Sequence, residues 1–477
     1  MRRFFLALVW KAFQFLNNDD LNDTMTTPNS FEPAPTRSDF AADFLWGCAT
    51  SSYQIEGAGA VDGRVESIWD RFAATPGKVR DGSNGAVACD HYHRWPQDFD
   101  MARDMGLNAY RFSIAWPRIF SGIDGRPNEK GLDFYARLVD GMLERGLQPW
   151  ATLYHWDLPQ SLQERGGWAE RSTVDAYLAF VDAMTRRLGD RVKHWITHNE
   201  PWCTAMIGNY EGVHAPGLTD FATALQVCHH VLLSHGKAVP LIRANVSDAE
   251  VGIALSLHPV RPASDSEADR AATLRHDGLR YRWFLDPLHG RGYPQATLEA
   301  VGAAAPRIEA GDMEAIAAPL DFLGVNYYFP ETIQDAPGEG PLGARVLPPE
   351  GVETTALGWE VAPDGLATLL ARIEDDYHPG PMYITENGAC YDDVVDADGA
   401  VHDDGRRRYL QRHLAALRDT IAGGVPVKGY FAWSLVDNFE WAEGYLRRFG
   451  LIHIDYDTQQ RRLKDSGKWY RAFLRQE

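Results

Sequence analysis

Cysteine is scarce: five in 477 residues (Cys48, Cys89, Cys203, Cys228 and Cys390), an odd number, widely spread and without a C-x-x-C pair. That excludes a disulfide framework and a paired-thiolate zinc site, and it suits a reducing compartment. The H-E-x-x-H pair of metalloproteases is missing too. His91 and His93 stand alone as H-x-H, and two converging ligands do not make a metal centre, so no metal and no other cofactor is expected. Positive charge is also short, with 47 Lys and Arg against 66 Asp and Glu and a net charge of −19. A nucleic-acid backbone or an anionic membrane surface requires clustered basic residues, so neither is an expected partner. No apolar run is long enough to span a bilayer. Nor does any linker rich in Pro, Gly or Ser divide the chain. Its length would accommodate about three domains of roughly 150 residues, but one domain over residues 40–477 is the simpler account. The Pro/Gly-rich stretch 335–351 reads as a long loop within it.

Residues 1–24 stand apart. Arg2 and Arg3 precede an apolar run from Phe4 to Trp10; a second short run ends at Leu16, and an acidic, Asn-rich stretch follows. This is similar to the apolar part of a signal peptide, but no small-x-small cleavage site comes after it. The expectation is that translation begins at Met25, that residues 1–39 are an N-terminal extension, and that the protein is cytoplasmic. Export through residues 1–24 is the alternative.

Aromatic residues, by contrast, are plentiful: 15 Trp, 19 Tyr and 21 Phe, in a chain that is 45% hydrophobic and 24% charged. Most belong in a core, but indoles placed together at a surface would form a platform for a flat apolar ligand face. From Phe44 onward, short apolar or β-branched runs alternate with longer amphipathic patterns. The runs are 44–49, 109–114, 148–154, 193–197, 251–257, 322–327, 382–385 and 427–433. Helical periodicity covers 98–105, 130–145, 173–188, 222–243, 363–376 and 406–422. Strand–helix alternation repeated eight times predicts a single (β/α)8 barrel of the TIM type, with extended loops at the C-terminal face of its sheet.

Chemistry in such a barrel sits at the C-terminal strand ends. Those positions hold Gln54 and Glu56, Arg111, His155-Trp156-Asp157, Asn199-Glu200-Pro201-Trp202, Asn326-Tyr327-Tyr328, Glu386-Asn387-Gly388, and Trp433 followed by Glu440-Trp441. One strand-end Glu alone could as well pair with a neighbouring loop. Glu200 and Glu386, however, end strands four and seven, three places apart in a ring of eight, and so face one another across the opening. Two carboxylates facing a gap supply a proton donor and a nucleophile or base, the pair that glycosidic-bond hydrolysis requires. Spacing does not give their separation, so it does not choose between retention and inversion.

At these residues the chain resembles glycoside hydrolase family 1, the β-glucosidase family. FLWGCATSSYQIEG at 44–57, YRFSIAWPRI at 110–119, YHWDLP at 154–159, WITHNEP at 195–201, NYY at 326–328, YITENG at 383–388 and WSLVDNFEWAEGYLRRFG at 433–450 all fall in family order. The resemblance implies a retaining β-glucosidase acting on small β-glycosides, with glucosyl and also galactosyl or fucosyl residues removed in the catabolism of cellobiose and aryl glucosides. Carried over by position, it makes Glu386 the nucleophile and Glu200 the acid/base. Arg111 and Tyr328 would favour the charge on Glu386. Asn199 would meet the sugar 2-hydroxyl, with Asn326 in the same shell. Gln54, His155, Glu440 and Trp441 would bind the remaining hydroxyls, and Trp433 would lie beneath the ring. Trp202 and Trp359 would wall the aglycone side.

Departures are few. His198 stands where an apolar residue is more usual and reads as a packed or hydrogen-bonded side chain. Val65-Glu66 replaces a Gly-Pro of the first loop. A phosphorylated-sugar specialist within the family is disfavoured because Glu440 would repel the dianion. A catalytically dead sugar-binding relative, or a variant with Gln as acid/base, is excluded by the presence of both glutamates.

Overall fold

The computed structural model describes residues 34–120 and 125–476; residues 1–33, on which the expectations about Met25 and export fall, lie outside them. Eight parallel strands close into a barrel: β1 (Leu45–Ala49), β2 (Ala109–Ser113), β3 (Gln148–Tyr154), β4 (His194–Asn199), β5 (Glu250–Ser256), β6 (Phe322–Asn326), β7 (Met382–Asn387) and β8 (Val427–Trp433), with β8 pairing back onto β1. All eight predicted runs are strands.

Two of them run further than their apolar stretches. Strand β4 continues through Asn199, and β7 continues through Glu386 and Asn387. Both contain a register shift, between Ile196 and Asn199 in β4 and between Ile384 and Glu386 in β7. Strict two-residue alternation from Ile196, which packs inside the barrel, would have aimed His198 at the mouth. The bulge inserts one residue and reverses this. His198 turns outward, stacks on Tyr177 with centroids 4.7 Å apart and bonds Ser234 Oγ through Nε2 at 2.8 Å, while Asn199 turns inward.

The barrel interior is filled, not hollow. Trp150 from β3 meets Phe322, Tyr383 and Phe431 of β6, β7 and β8 at centroid distances of 5.1, 4.6 and 5.2 Å. Rings of this size fit because a facing strand position is glycine: a Cβ on Gly47 would lie 2.2 Å from the Phe431 ring. Interlocking of large and small side chains in layers is what close packing demands of a barrel this narrow.

The helices that cover the barrel follow the predicted periodicity closely: Glu129–Leu143, Ser172–Leu188, Phe221–Asn245, Pro363–Tyr377 and Asp404–Ala422. The helix expected over 98–105 is His91–Asp104 and starts earlier than its apolar pattern suggests. Its inner face mixes Tyr92, Phe99 and Ala102 with polar contacts: His91 Nδ1 meets Asp98 Oδ2 at 2.7 Å, and Arg461 Nε donates to Asp98 Oδ1 at 2.8 Å, all buried. A buried ion-paired face is invisible to a search for apolar periodicity. It also accounts for the isolated H-x-H, whose second member, His93, bonds Asp90 at 2.6 Å.

The stretch expected to be a plain mouth loop is partly sheet: Glu331–Asp335 pairs antiparallel with Ala344–Leu347 and parallel with Val260–Pro262. The turn between them contains the Pro and Gly residues that hid the strands. Among the described residues, no helix is long and apolar enough to cross a membrane.

Close approach at the end of β7 fixes one further residue. A Cβ on Gly388 would lie 1.8 Å from the Trp433 carbonyl oxygen. Gly388→Ala therefore forces apart the strand ends that carry Glu386 and Trp433, and it should cost at least about 2 kcal/mol of stability. A lowered midpoint in thermal and urea unfolding would show this; an unchanged midpoint would contradict the packing described.

Candidate active site

A cavity of about 1400 Å³ opens at the C-terminal end of the barrel. Glu200, Glu386, His155, Tyr328, Trp433, Glu440 and Trp441 line its inner part, and Trp202 and Trp359 line the outer. Of the residues singled out in the sequence, Arg111, Asn199, Asn326 and Gln54 are fully buried and do not line this cavity.

Three of these four form a network that links the two glutamates. Arg111 lies 1% exposed at the centre of the barrel. Its Nη1 donates to Glu386 Oε1 at 2.6 Å and to the Thr385 carbonyl at 3.0 Å, its Nη2 to Asn199 Oδ1 at 2.6 Å, and its Nε to Thr152 Oγ1 at 3.1 Å. Asn326 Nδ2 is shared between Asn199 Oδ1 at 2.9 Å and Glu200 Oε1 at 3.0 Å, and its Oδ1 accepts from Thr385 Oγ1 at 2.6 Å. A continuous chain of hydrogen bonds thus runs from Glu386 through Arg111, Asn199 and Asn326 to Glu200.

The surroundings of the two glutamates differ in kind. Glu386 has the Arg111 cation on one oxygen and the Tyr328 hydroxyl, donating at 2.7 Å, on the other. Burial raises this carboxyl above the usual range and the Glu200 charge adds to the effect, while Arg111 and Tyr328 oppose it. Among the described residues, Glu200 has only neutral donors: the Asn326 amide, and the Cys203 thiol at 3.2 Å on Oε2. Its backbone is left-handed at φ 48°, pinned by donation of its N–H to the Ala254 carbonyl at 2.8 Å.

His155 is neutral, held well below the usual histidine range by burial and by Arg111. Asn199 Nδ2 lies 3.0 Å from its Nε2, and among the described residues its Nδ1 has no partner. The ring lies nearly parallel to both Trp433 and Trp441, at 5.9 and 6.0 Å. Glu440 Oε2 is buried and, among the described residues, has no partner. Burial first, then the charges of Glu386 and Glu200, push that carboxyl up to about 8. Gln54 is placed differently from the rest: its amide donates to Asn438 Oδ1 and the Phe439 carbonyl, both at 2.9 Å, and its Oε1 accepts from Ser51 at 2.6 Å. It braces the loop that carries Glu440 and Trp441. Glu56 and Asp157, also at strand ends, are not on the wall. Glu56 pairs with Arg118 at 2.6 Å, and Asp157 accepts from Ser52 Oγ at 2.9 Å.

In the outer part, Arg280 lies 4.5 Å over the Trp202 ring and Phe329 packs 4.8 Å from Trp359. Arg280, Cys203 and the pair Thr152 and Thr385 were not picked out in the sequence. The threonines carried a signal, being inward positions one step below the functional strand ends; Arg280 and Cys203 lie on helical segments and carried none. Asp396, Asp398 and His402 form an exposed cluster spaced for a metal ion, away from the cavity, and His402 Nδ1 there already meets Asp465 at 2.6 Å.

A closed barrel that gathers Glu200, Glu386 and Glu440 with stacked indoles at its mouth fits a hydrolase of the glycosidase class. The chain belongs to glycosyl hydrolase family 1, which it matches over residues 36–477. It is 47% identical over 435 residues to "Beta-glucosidase A" of Thermotoga maritima, covering 90% of this chain and 96% of that protein. It is 42% identical to "Bifunctional beta-D-glucosidase/beta-D-fucosidase" of Bifidobacterium breve, covering 91% and 98%. A solved structure of the Thermotoga maritima β-glucosidase in complex with glucoimidazole superposes with a TM-score of 0.88 at 45% identity, covering 91% of this chain and 98% of that one.

The raised Glu440 carboxyl has a consequence for stability. The folded state keeps a proton that the unfolded chain releases near pH 4.5, so stability falls as pH rises from there to about 8 and is level above. Glu440→Gln removes that loss. Its melting temperature should exceed the parent's by a few degrees at pH 8 to 9 and match it near pH 4.5. Equal differences at both pH values in calorimetry would contradict the assignment.

Proposed function

We propose that this protein is a retaining β-glucosidase that removes terminal β-D-glucosyl residues, and by the same hydroxyl contacts β-galactosyl and β-fucosyl residues, from small glycosides. The observation that carries the reading is the contrast between the two glutamates: one held by a cation and a phenol, the other by neutral donors only. At Glu386 the Arg111 cation and the Tyr328 phenol favour the anion against the effect of burial, which suits it to attack the anomeric carbon. Glu200, without a cation, is suited to hold a proton and deliver it to the glycosidic oxygen.

In the first step a Glu386 oxygen bonds to the anomeric carbon as the glycosidic C–O bond breaks. Glu200 gives its proton to the departing oxygen, and the aglycone leaves as an alcohol. The Glu200 carboxylate then takes a proton from water, whose oxygen attacks the same carbon and displaces Glu386. Arg111 and Tyr328 assist that second displacement because they stabilise the carboxylate as it departs. Trp433 offers an apolar face to the pyranose ring, while His155 Nδ1, Glu440 Oε2 and the Trp441 indole are available to its hydroxyls. A neutral sugar is neither steered nor repelled by the acidic net charge.

Two variants test the roles. Glu386→Ala should lower hydrolysis of an aryl β-glucoside by at least roughly a thousandfold. Glu200→Ala should keep a burst on activated aryl glycosides and lose turnover, and azide should restore turnover as a β-glucosyl azide. Absence of azide rescue would remove Glu200 from the acid/base role, and an inert parent protein on gluco-, galacto- and fucosides alike would remove the function.

A further inference from the structure

Immediately after Glu200 the chain winds into a π-helix, Cys203–Glu211, a loosened helical form that recurs at functional sites. The Cys203 and Thr204 N–H groups both donate to the Glu200 carbonyl, at 2.9 and 3.2 Å, so the first turn is wrapped around the residue it follows. This places the Cys203 sulfur 3.2 Å from Glu200 Oε2, in a residue that is 7% exposed and lines the cavity. Among the described residues, Oε1 of Glu200 has the Asn326 amide as donor and Oε2 has the Cys203 thiol. The rotation of this carboxyl is therefore defined by one amide on one side and one thiol on the other.

We propose that Cys203 is a positioning residue for Glu200, its S–H···Oε2 contact holding the carboxyl in the plane from which it serves the glycosidic oxygen. The inference rests on Glu200 being the acid/base. The chemistry of a thiol suits the task. Burial and the neighbouring Glu200 charge hold Cys203 well above the usual thiol range, so it remains a protonated donor and not a competing nucleophile. Sulfur is also a weak donor and a weak acceptor. It can donate to the carboxylate and turn to accept when Oε2 carries the proton, whereas a Lys or Arg there would bind only the anion and remove the acid. The charged and titratable groups that face this thiol are Glu200, Arg280 and Glu211.

Replacement by Val keeps the size and removes the donor; Ser replaces the thiol by a stronger donor. In Cys203→Val the alkaline limb of the kcat/KM–pH profile should move up by about half a pH unit, because a contact favouring the carboxylate is lost. With an activated aryl glucoside, whose turnover is limited by deglycosylation, kcat should fall several-fold more than KM changes. Cys203→Ser should return kcat towards the parent value and bring the limb back to or below the parent's. Melting temperatures of all three proteins show whether the variants are folded, and Cys203→Ala replaces Cys203→Val should the latter be unstable. Limbs within 0.1 pH unit of the parent in both the apolar and the Ser variants, or a kcat loss in the apolar variant that Ser does not recover, would overturn the proposal. Failure of azide rescue in Glu200→Ala, with the Cys203 shifts still observed, would instead overturn the role given to Glu200.

Discussion

One buried cation organises the mouth of this barrel. Arg111 projects from β2 into the centre, 1% exposed, and spends its guanidinium on groups from β3, β4 and β7 at once. A charge so placed is tolerable when its N–H groups find acceptors and a counter-ion is in contact, since each unpaired buried ion costs several kcal/mol. Glu386 is that counter-ion at 2.6 Å. The need to satisfy Arg111 fixes the Asn199 amide, which in turn orients Asn326, which reaches Glu200. Positions on four strands are thereby tied to one planar fork, whose fixed geometry a lysine could not reproduce.

The cluster is not assembled for stability. Glu386, Glu440 and Glu200 share a buried well with one guanidinium in direct contact; burial raises the Glu386 carboxyl against the pull of Arg111, and burial with the neighbouring charges raises Glu440 to about 8. Backbone strain adds to this. Trp156, Glu200 and Trp441 all line the cavity and all have positive φ, at 81°, 48° and 49°. A bulky L-residue in that region costs of order 1–3 kcal/mol, and such residues persist only where the surroundings over-determine them. The surroundings here are the aromatic plug below and the packed indoles beside it. Trp441 stacks 6.2 Å from Tyr53 and Trp156 lies 4.5 Å from Trp441. Much of the tryptophan content thus acts as a rigid frame that holds strained residues in place, while among the described residues Trp156, Trp433, Trp441, Trp202 and Trp359 line the cavity.

Eight strands and six covering helices were legible because burial of apolar faces imposes a period that composition reveals. What escaped was built from polar contacts. The turn of helix from His91 to Gln97 faces a buried ion pair, so it lacked an apolar stripe. The sheet at Glu331–Asp335 was hidden by the Pro and Gly residues of its own turn. Within the site, the strand-end residues were readable because barrel topology alone brings strand ends together. Gln54 is expected among the hydroxyl-binding residues, whereas its brace role depends on Asn438 and Phe439, some 380 residues away in sequence.

The bulges in β4 and β7 explain how two strand-end glutamates come to face the cavity. An alternating strand presents every second residue to the barrel interior, so a stretch such as Thr197-His198-Asn199-Glu200 can deliver only two inward side chains in a regular geometry. The register shift after Ile196 sends His198 to the helices and brings Asn199 inward, and the left-handed turn at Glu200 then swings the next carboxylate over the opening. Two adjacent polar side chains thereby face the same space, one bonded to the buried cation and the other free of it. That separation of adjacent residues into a charged network and a neutral one is a backbone effect. It is what allows two chemically identical glutamates, on strands that differ little in composition, to be held in opposite electrostatic surroundings.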